Sequence, residues 1–462
     1  MKPVDVNIAF IGGGSRGWAF SLMSDLAKEE EIRCHIRLYD IDHKASEMNA
    51  KIGNDLSARD DIVGKHEWVA KHTYEEALTG ADFVVISVMP GTFKEMHSDV
   101  HTPEKYGIYQ PVGDSSGPGG IVRALRTIPM FREFAREIKK YCPKAWVINY
   151  TNPMTLCTRT LYKEFPEIKA FGCCHEVFET KELMGLALKR ETGIEIARDD
   201  ISFSVSGVNH FTWITEAHYK NYDLMEMYKR FAEDYKDTGF IHKNDHWMNN
   251  FFADAKRIKF DLFLRYGAAA AAGDRHLSEF CPGSWYLKDK EKVREWMFGL
   301  TSVDWRMENL EDRLKNQREL YEGKKFEVFE TGEEGIKQIK SIMGLSTLVT
   351  NVNLPNLGQA PDLPLEAVVE TNAVFHDDMV TPVMTNPLPM GARDLVARIM
   401  AEQELVIKAC FEGDYEDAYK AFCMDPLMRL DLTDARKLWI EMIENTVDYI
   451  PGGREYLERI KK

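Results

Sequence analysis

The chain lacks any long hydrophobic run. No window of its 462 residues approaches the ~20 apolar residues of a membrane-spanning helix, so no membrane partner is expected. Cysteine is sparse: eight residues, scattered without framework spacing. Such a scatter builds no disulfide scaffold and suits a reducing compartment. A positive balance is missing too. The net charge of −15 opposes a nucleic acid or other polyanion, although a local basic patch can still hold a small anion. Nor is there a secretory core: Met1-Lys2-Pro3 leads into the short apolar run Val4 to Ile11, which glycines end at once. The expectation is a cytoplasmic protein. No repeat, low-complexity tract or clear linker divides it. What remains is ordinary globular composition, 44% hydrophobic and 29% charged, in a length sufficient for two domains.

Ile8-Ala9-Phe10-Ile11 reads as a buried strand. Gly12-Gly13-Gly14-Ser15-Arg16-Gly17 follows, then a helical stretch from Ala19 to Lys28. A bare glycine pattern is compatible with a tight turn alone. Strand, glycine loop and helix together are the context of a dinucleotide fingerprint, with Gly12, Gly14 and Gly17 at its glycine positions. Ser15 and Arg16 lie in the same loop. A second strand, His35 to Tyr39, ends in Asp40, placed to bind ribose hydroxyls and select NAD over NADP. Further strands are expected over Gly80 to Val88 and Ala145 to Tyr150, with helices over Tyr74 to Leu78 and residues 127–140. Repeated strand–helix units predict an α/β fold, a Rossmann-like doubly wound parallel sheet. Ligands bind beyond the carboxyl ends of such strands, which puts Val88, Asn149, Asn152 and Cys174 on one rim.

The stretch Pro111 to Arg126 is rich in glycine and holds one carboxylate, Asp114. It is expected to be a loop that folds over a ligand. After His210 the pattern changes and helices lengthen. Residues 1–198 are expected to form the NAD-binding domain, and residues 199–462 a mixed α/β catalytic, substrate and oligomerisation domain. Helices are expected over Leu224 to Tyr235, His246 to Arg265 and Val303 to Tyr321, and over 391–412 and 414–423. Met248 to Phe252 reads as core packing, and Leu365 to Val374 as a strand. In Gly273-Asp274-Arg275-His276, after a run of alanines, three polar side chains emerge together.

Gly172-Cys173-Cys174-His175-Glu176-Val177 and Gly207-Val208-Asn209-His210-Phe211 lie at the junction of the halves. Thiolate and imidazole both suit a borderline divalent metal. Each alone reads equally as a buried cysteine or a hydrogen-bonded histidine.

Together, Ile11-Gly12-Gly13-Gly14-Ser15, Gly117-Pro118-Gly119-Gly120, Asn149-Tyr150-Thr151-Asn152-Pro153, Cys174-His175-Glu176-Val177 and Val208-Asn209-His210-Phe211 resemble glycoside hydrolase family 4. The resemblance spans essentially the whole chain. Cys-His-Glu-Val looks most like members acting on α-galacturonides, with α-glucosidase and α-glucuronidase members next. The family implies an oxidation, elimination, addition and reduction route that needs NAD and Mn²⁺. It is an exception to the two-carboxylate scheme of most glycosidases. It further implies Cys174 and His210 as metal ligands and Asp274 as the base at C2. Asp114 would protonate the departing oxygen, provided its pKa is raised. Asn149 and Asn152 would meet sugar hydroxyls or the nicotinamide, and His175 and Glu176 would read the substrate. A uronate carboxylate needs a guanidinium, with Arg275, Arg123 and Arg126 as candidates. A homodimer or homotetramer is implied as well. The competing class is a malate- or lactate-type dehydrogenase, which has no need of a cysteine–histidine pair.

Overall fold

Alternating burial along single strands sets the architecture. In β1 (Val4–Ile11), Ile8 and Phe10 pack into one apolar cluster while Ala9 and Ile11 pack into another on the opposite face. A sheet buried on both faces must carry helices on both. Each large side chain so buried stabilises by about 1.5–3 kcal/mol. The computed structural model describes residues 2–241 and 252–462.

The parallel run continues through β2 (Ile32–Tyr39), β3 (Glu67–Lys71), β4 (Phe83–Ile86), β5 (Trp146–Asn149) and β6 (Lys169–Gly172). Their spatial order is β6-β5-β4-β1-β2-β3, so the order reverses between β1 and β4. That switch point is where a doubly wound sheet opens a crevice for a ligand. A separate antiparallel sheet comprises β7 (Ser202–Val208), β8 (Phe211–Tyr219), β9 (Tyr222–Asp223) and β10 (Ala269–Ala270). Then the chain returns to the first sheet. β11 (Leu348–Pro355), β12 (Val368–His376) and β13 (Met379–Pro382) extend it antiparallel beyond β6, to nine strands. The junction is the pair Asn353 and Gly172, and a Cβ on Gly172 would stand 3.0 Å from that of Asn353. The main sheet therefore crosses the expected boundary at 198/199.

The helices that shape the site are α1 (Trp18–Leu26), α2 (Gly117–Tyr141), α3 (Glu176–Thr192), α4 (Arg257–Tyr266), α5 (Asp274–Phe280) and α6 (Val303–Tyr321). α2 starts well before the expected 127. Its glycines are not a free loop: they form the first turn, packed on backbone. A Cβ on Gly119 would stand 2.6 Å from the Asp99 carbonyl oxygen, and one on Gly120 2.7 Å from the Ser115 carbonyl carbon. The helix expected over His246 to Arg265 is α4, which follows Lys256 at φ 63. Residues 242–251, with Met248, lie outside the described residues. β12 starts three residues after the expected Leu365, past the left-handed Glu366 (φ 65). Among the described residues no helix is long and apolar enough to cross a membrane.

Candidate active site

The rim of the parallel strands is built around close approach. Gly12 has φ 96, and a Cβ there would stand 2.0 Å from the Ser87 carbonyl oxygen, so only glycine fits. Gly14 N–H donates to the Asp40 carboxylate at 2.9 Å, which seats the end of β2 against the loop. Ser15 Oγ accepts from Trp18 N–H at 3.0 Å, at the start of α1. Arg16 is tied to α6 through Gln317 at 3.0 Å and to Asp42 at 2.8 Å. Val88 N–H donates to Thr151 Oγ1 at 3.0 Å. Asn149 differs from expectation. It is fully buried, and its amide closes on the backbone of Thr151 through one donor and one acceptor bond.

Across the crevice, a carboxylate and two imidazoles converge. Among the described residues, ligand atoms of Asp114, His210 and His276 lie within 4.8 Å of one another. His210 occupies the turn between β7 and β8 at φ 64, a conformation a histidine adopts at a cost. Its ring stacks on His276 with centroids 3.8 Å apart. Ser115 Oγ bridges Asp114 Oδ1 at 2.7 Å and His210 Nδ1 at 3.1 Å, and Asn152 Nδ2 donates to Asp114 Oδ2 at 3.2 Å. Burial, then the neighbouring His276, pulls His210 down to about 4, which keeps its ring neutral and able to ligate. Burial pushes the Asp114 carboxyl up, but His210, His276 and Arg123 outweigh it and hold it at about 2. A carboxylate so held is no proton donor at neutral pH. The expectation that Asp114 protonates the leaving group is replaced by an acceptor role beside the imidazoles.

Cys174 is not in that cluster. It is buried, and burial raises its thiol pKa. Behind both motifs stands Glu370, the third residue of β12 and almost fully buried. It accepts from Thr212 Oγ1 at 2.8 Å, Asn209 Nδ2 at 3.3 Å and Asn351 Nδ2 at 2.6 Å, and Asn351 also reaches the Cys174 carbonyl oxygen. One carboxylate therefore joins the two motif turns.

A cleft of about 520 Å³ opens alongside, lined by His175, Glu176, Phe178, Phe252, Asp254 and Lys256 among others. Glu176 approaches His276 at 3.6 Å and accepts from Gly273 N–H at 2.9 Å, and His175 pairs with Glu333 at 2.8 Å. Asp274 does not line the cleft. Its two oxygens accept from Ile258 and Lys259 N–H at 3.0 Å each, and it is fully buried. It caps α4. Both oxygens keep a lone pair, but the burial of the group and its absence from the cleft lining set it apart from a substrate there. Asp274→Asn turns an amide N–H toward a backbone N–H. An unmet buried donor costs about 1–3 kcal/mol, so we expect an earlier urea midpoint with cofactor binding retained. Unchanged stability with turnover lost would return Asp274 to the base role.

Several polar atoms around the site have no partner among the described residues: Asn152 Oδ1, Asn209 Oδ1, Arg123 Nη1 and Arg275 Nε. Buried polar groups are ordinarily satisfied, so their clustering marks a place completed by a ligand. The donor set of one carboxylate and two imidazoles fits Mn²⁺ or a similar ion, and the glycine loop fits a pyrophosphate.

A family model described as family 4 glycosyl hydrolase matches residues 7–190, and its C-terminal domain matches residues 205–428. The chain belongs to the family 4 glycosyl hydrolases. Within the family it is 59% identical to an alpha-galacturonidase of Thermoanaerobacterium saccharolyticum over 98% of each chain. It is 46% identical to an alpha-galacturonidase of Bacillus subtilis over 95% of this chain and 97% of that one. The crystal structure of lplD from Bacillus subtilis superposes with a TM-score of 0.91 at 44% identity, covering 95% of this chain and 100% of that one. A 6-phospho-alpha-glucosidase from gut microorganisms, solved with NAD and Mn²⁺, shares the fold at a TM-score of 0.79 and 20% identity, over 97% and 99% of the two chains.

Membership in the family sets aside the dehydrogenase reading. The residues that sequence reasoning missed are His276 and Glu370; Phe252, expected in the core, is 48% exposed and lines the cleft. His276 stood in plain view in the Gly-Asp-Arg-His run but was given no role. The signal for Glu370 was a lone carboxylate inside the apolar strand Val368-Val369-Glu370-Thr371.

Proposed function

We propose that the protein is an exo-acting α-galacturonidase, releasing galacturonic acid from the non-reducing end of α-linked galacturonides such as pectin fragments. One observation carries this: four curated alpha-galacturonidases are 46–59% identical to it over 95–98% of this chain. The Cys174-His175-Glu176-Val177 run supports the same reading. Bound NAD would supply a reversible hydride acceptor, and a divalent ion such as Mn²⁺ would supply a Lewis acid. Gly12, Gly14 and Gly17 admit the pyrophosphate, and Asp40 selects NAD by repelling a 2′-phosphate. Asp114, His210 and His276 hold the metal, with Cys174 as the further donor that the family resemblance implies. Glu176 orients His276 and, with His175, faces the sugar. Asn152 fixes Asp114.

Nitrophenyl α-galacturonide, α-glucuronide, α-glucoside and α-galactoside, each with NAD and Mn²⁺, decide the substrate. The galacturonide is expected to give the highest kcat/KM. A preference for the glucuronide would keep the carboxylate and correct the C4 configuration. A preference for a neutral hexoside would end the proposal.

A further inference from the structure

A uronate carboxylate entering this cleft must replace its water with a cation that has no other partner. Most cations nearby are committed. Arg126 is paired with Asp99 out of solvent. Lys256 binds Glu179 at 2.6 Å and Asp254 at 2.9 Å. Arg198 donates to the Gly332 carbonyl oxygen at 2.9 Å and faces Asp199 and Glu334. Arg123 gives its Nε to the Asn152 carbonyl oxygen at 3.2 Å and acts on the Asp114 carboxylate, with Nη1 left over. Arg275 is half committed: Nη2 donates to the Pro111 carbonyl oxygen and Thr301 Oγ1, while Nε has no partner.

Arg306 differs from these. It lies in the first turn of α6, where the helix dipole opposes a cation. Among the described residues its guanidinium makes no hydrogen bond or ion pair; its recorded contact is with the ring of Phe252, 5.8 Å from the centroid. The Arg275 guanidinium lies 5.1 Å from the centroid of that same ring, and Phe252 lines the cleft. Burial, then the charge of Arg275, pulls Arg306 below the ordinary guanidinium value. Asp114 and Glu279 offset the mutual repulsion of these two guanidinium groups only in part, and an anion between them would complete the balance.

We infer that Arg306, with Arg275 across Phe252, forms the receptor for the C6 carboxylate of the sugar. The inference rests on the galacturonidase reading and adds to it the residue that sets the preference for an acid. Two turns along α6, about 10 Å away, Arg313 Nη1 lies 3.2 Å from where a Cβ on Gly17 would stand. One helix thus runs from the cofactor loop to the ring beside Arg306. The shared chemistry is an anion, and a cofactor phosphate is the other possible source.

The test uses Arg306→Met and Arg306→Lys in the holoenzyme. For Arg306→Met, kcat/KM on nitrophenyl α-galacturonide should fall roughly 10²–10³-fold, as when one partner of a desolvated charge pair is removed. The value on nitrophenyl α-galactoside should stay within about twofold, and Arg306→Lys should recover only part of the loss because it lacks the planar fork. NAD affinity, by fluorescence titration, should be unchanged, and calorimetric binding of galacturonate should weaken. Equal losses on both substrates would overturn the inference. Weakened NAD binding with unaltered uronide preference would move Arg306 to the cofactor phosphate and overturn it too. Should the wild type prefer the galactoside, the functional reading falls by itself. Galacturonate binding then decides Arg306, with equal affinity in wild type and variant counting against it.

Discussion

Removing the divalent ion, or replacing His210 by alanine, is expected to lower turnover of nitrophenyl α-galacturonide by at least about 10³-fold. A Lewis acid at a developing enolate stabilises it by several kcal/mol, and about 4 kcal/mol corresponds to that factor. His210 is the member of the cluster that reaches Ser115 as well as stacking on His276, so its loss removes a donor and loosens the other two. NAD binding should persist, because the glycine loop lies on the other side of the crevice. His276→Ala separates the donor set seen in the structure from the cysteine–histidine pair that the family resemblance implies. Its Mn²⁺ dissociation constant, by calorimetry, should rise at least about tenfold, since even outer-sphere changes cost 10–100-fold. An unchanged constant would remove His276 from the site. Full activity after chelation, with no metal added, would end the metal-dependent scheme.

Arg126→Met is expected to cost about 3–5 kcal/mol of stability in urea unfolding. Arg126 and Asp99 have side chains 1% and 0% exposed. Arg126 also donates from Nε to the Pro90 carbonyl oxygen at 3.0 Å, just past the end of β4. Methionine fills similar volume but leaves Asp99 as a buried carboxyl without its cation. Burial already pushes Asp99 up, and Arg126 is the largest influence opposing it. The double variant Arg126→Met with Asp99→Leu should recover most of the loss, because both charges then disappear together. A loss below about 1 kcal/mol in the single variant would contradict a structural pair. So would an altered preference for uronide over hexoside in the folded single variant, since that would give Arg126 the substrate role considered from sequence.

The cofactor rim was legible in the sequence because its determinants are local. A buried strand, a left-handed glycine and a helix start occupy consecutive residues, and their stereochemistry needs no distant partner. The Asp274 role was not legible. An aspartate after Gly273 at the start of α5 looks available, yet both of its oxygens accept from the start of α4. Asn149 was misread for the same reason: its rim position is right, but its amide folds back on Thr151. The glycine run at the start of α2 read as a loop over a ligand because composition cannot reveal the backbone of Asp99 pressed against it.

By itself the sequence determined the doubly wound half, the NAD-type loop and, through ordered motifs, the family. These follow from periodicity, glycine geometry and ordered motifs, all short-range or positional. Only the tertiary structure decided that His276 and Asp114 meet His210. It also decided that β11 to β13 complete the sheet of the first half, and that Arg306 makes no hydrogen bond or ion pair among the described residues. A charged side chain acquires its role from the partner that neutralises it. Asp99 holds Arg126, Asp254 and Glu179 hold Lys256, and Arg306 is left facing the cleft ring. Partners distant in the chain are chosen by packing, and no local pattern encodes that choice.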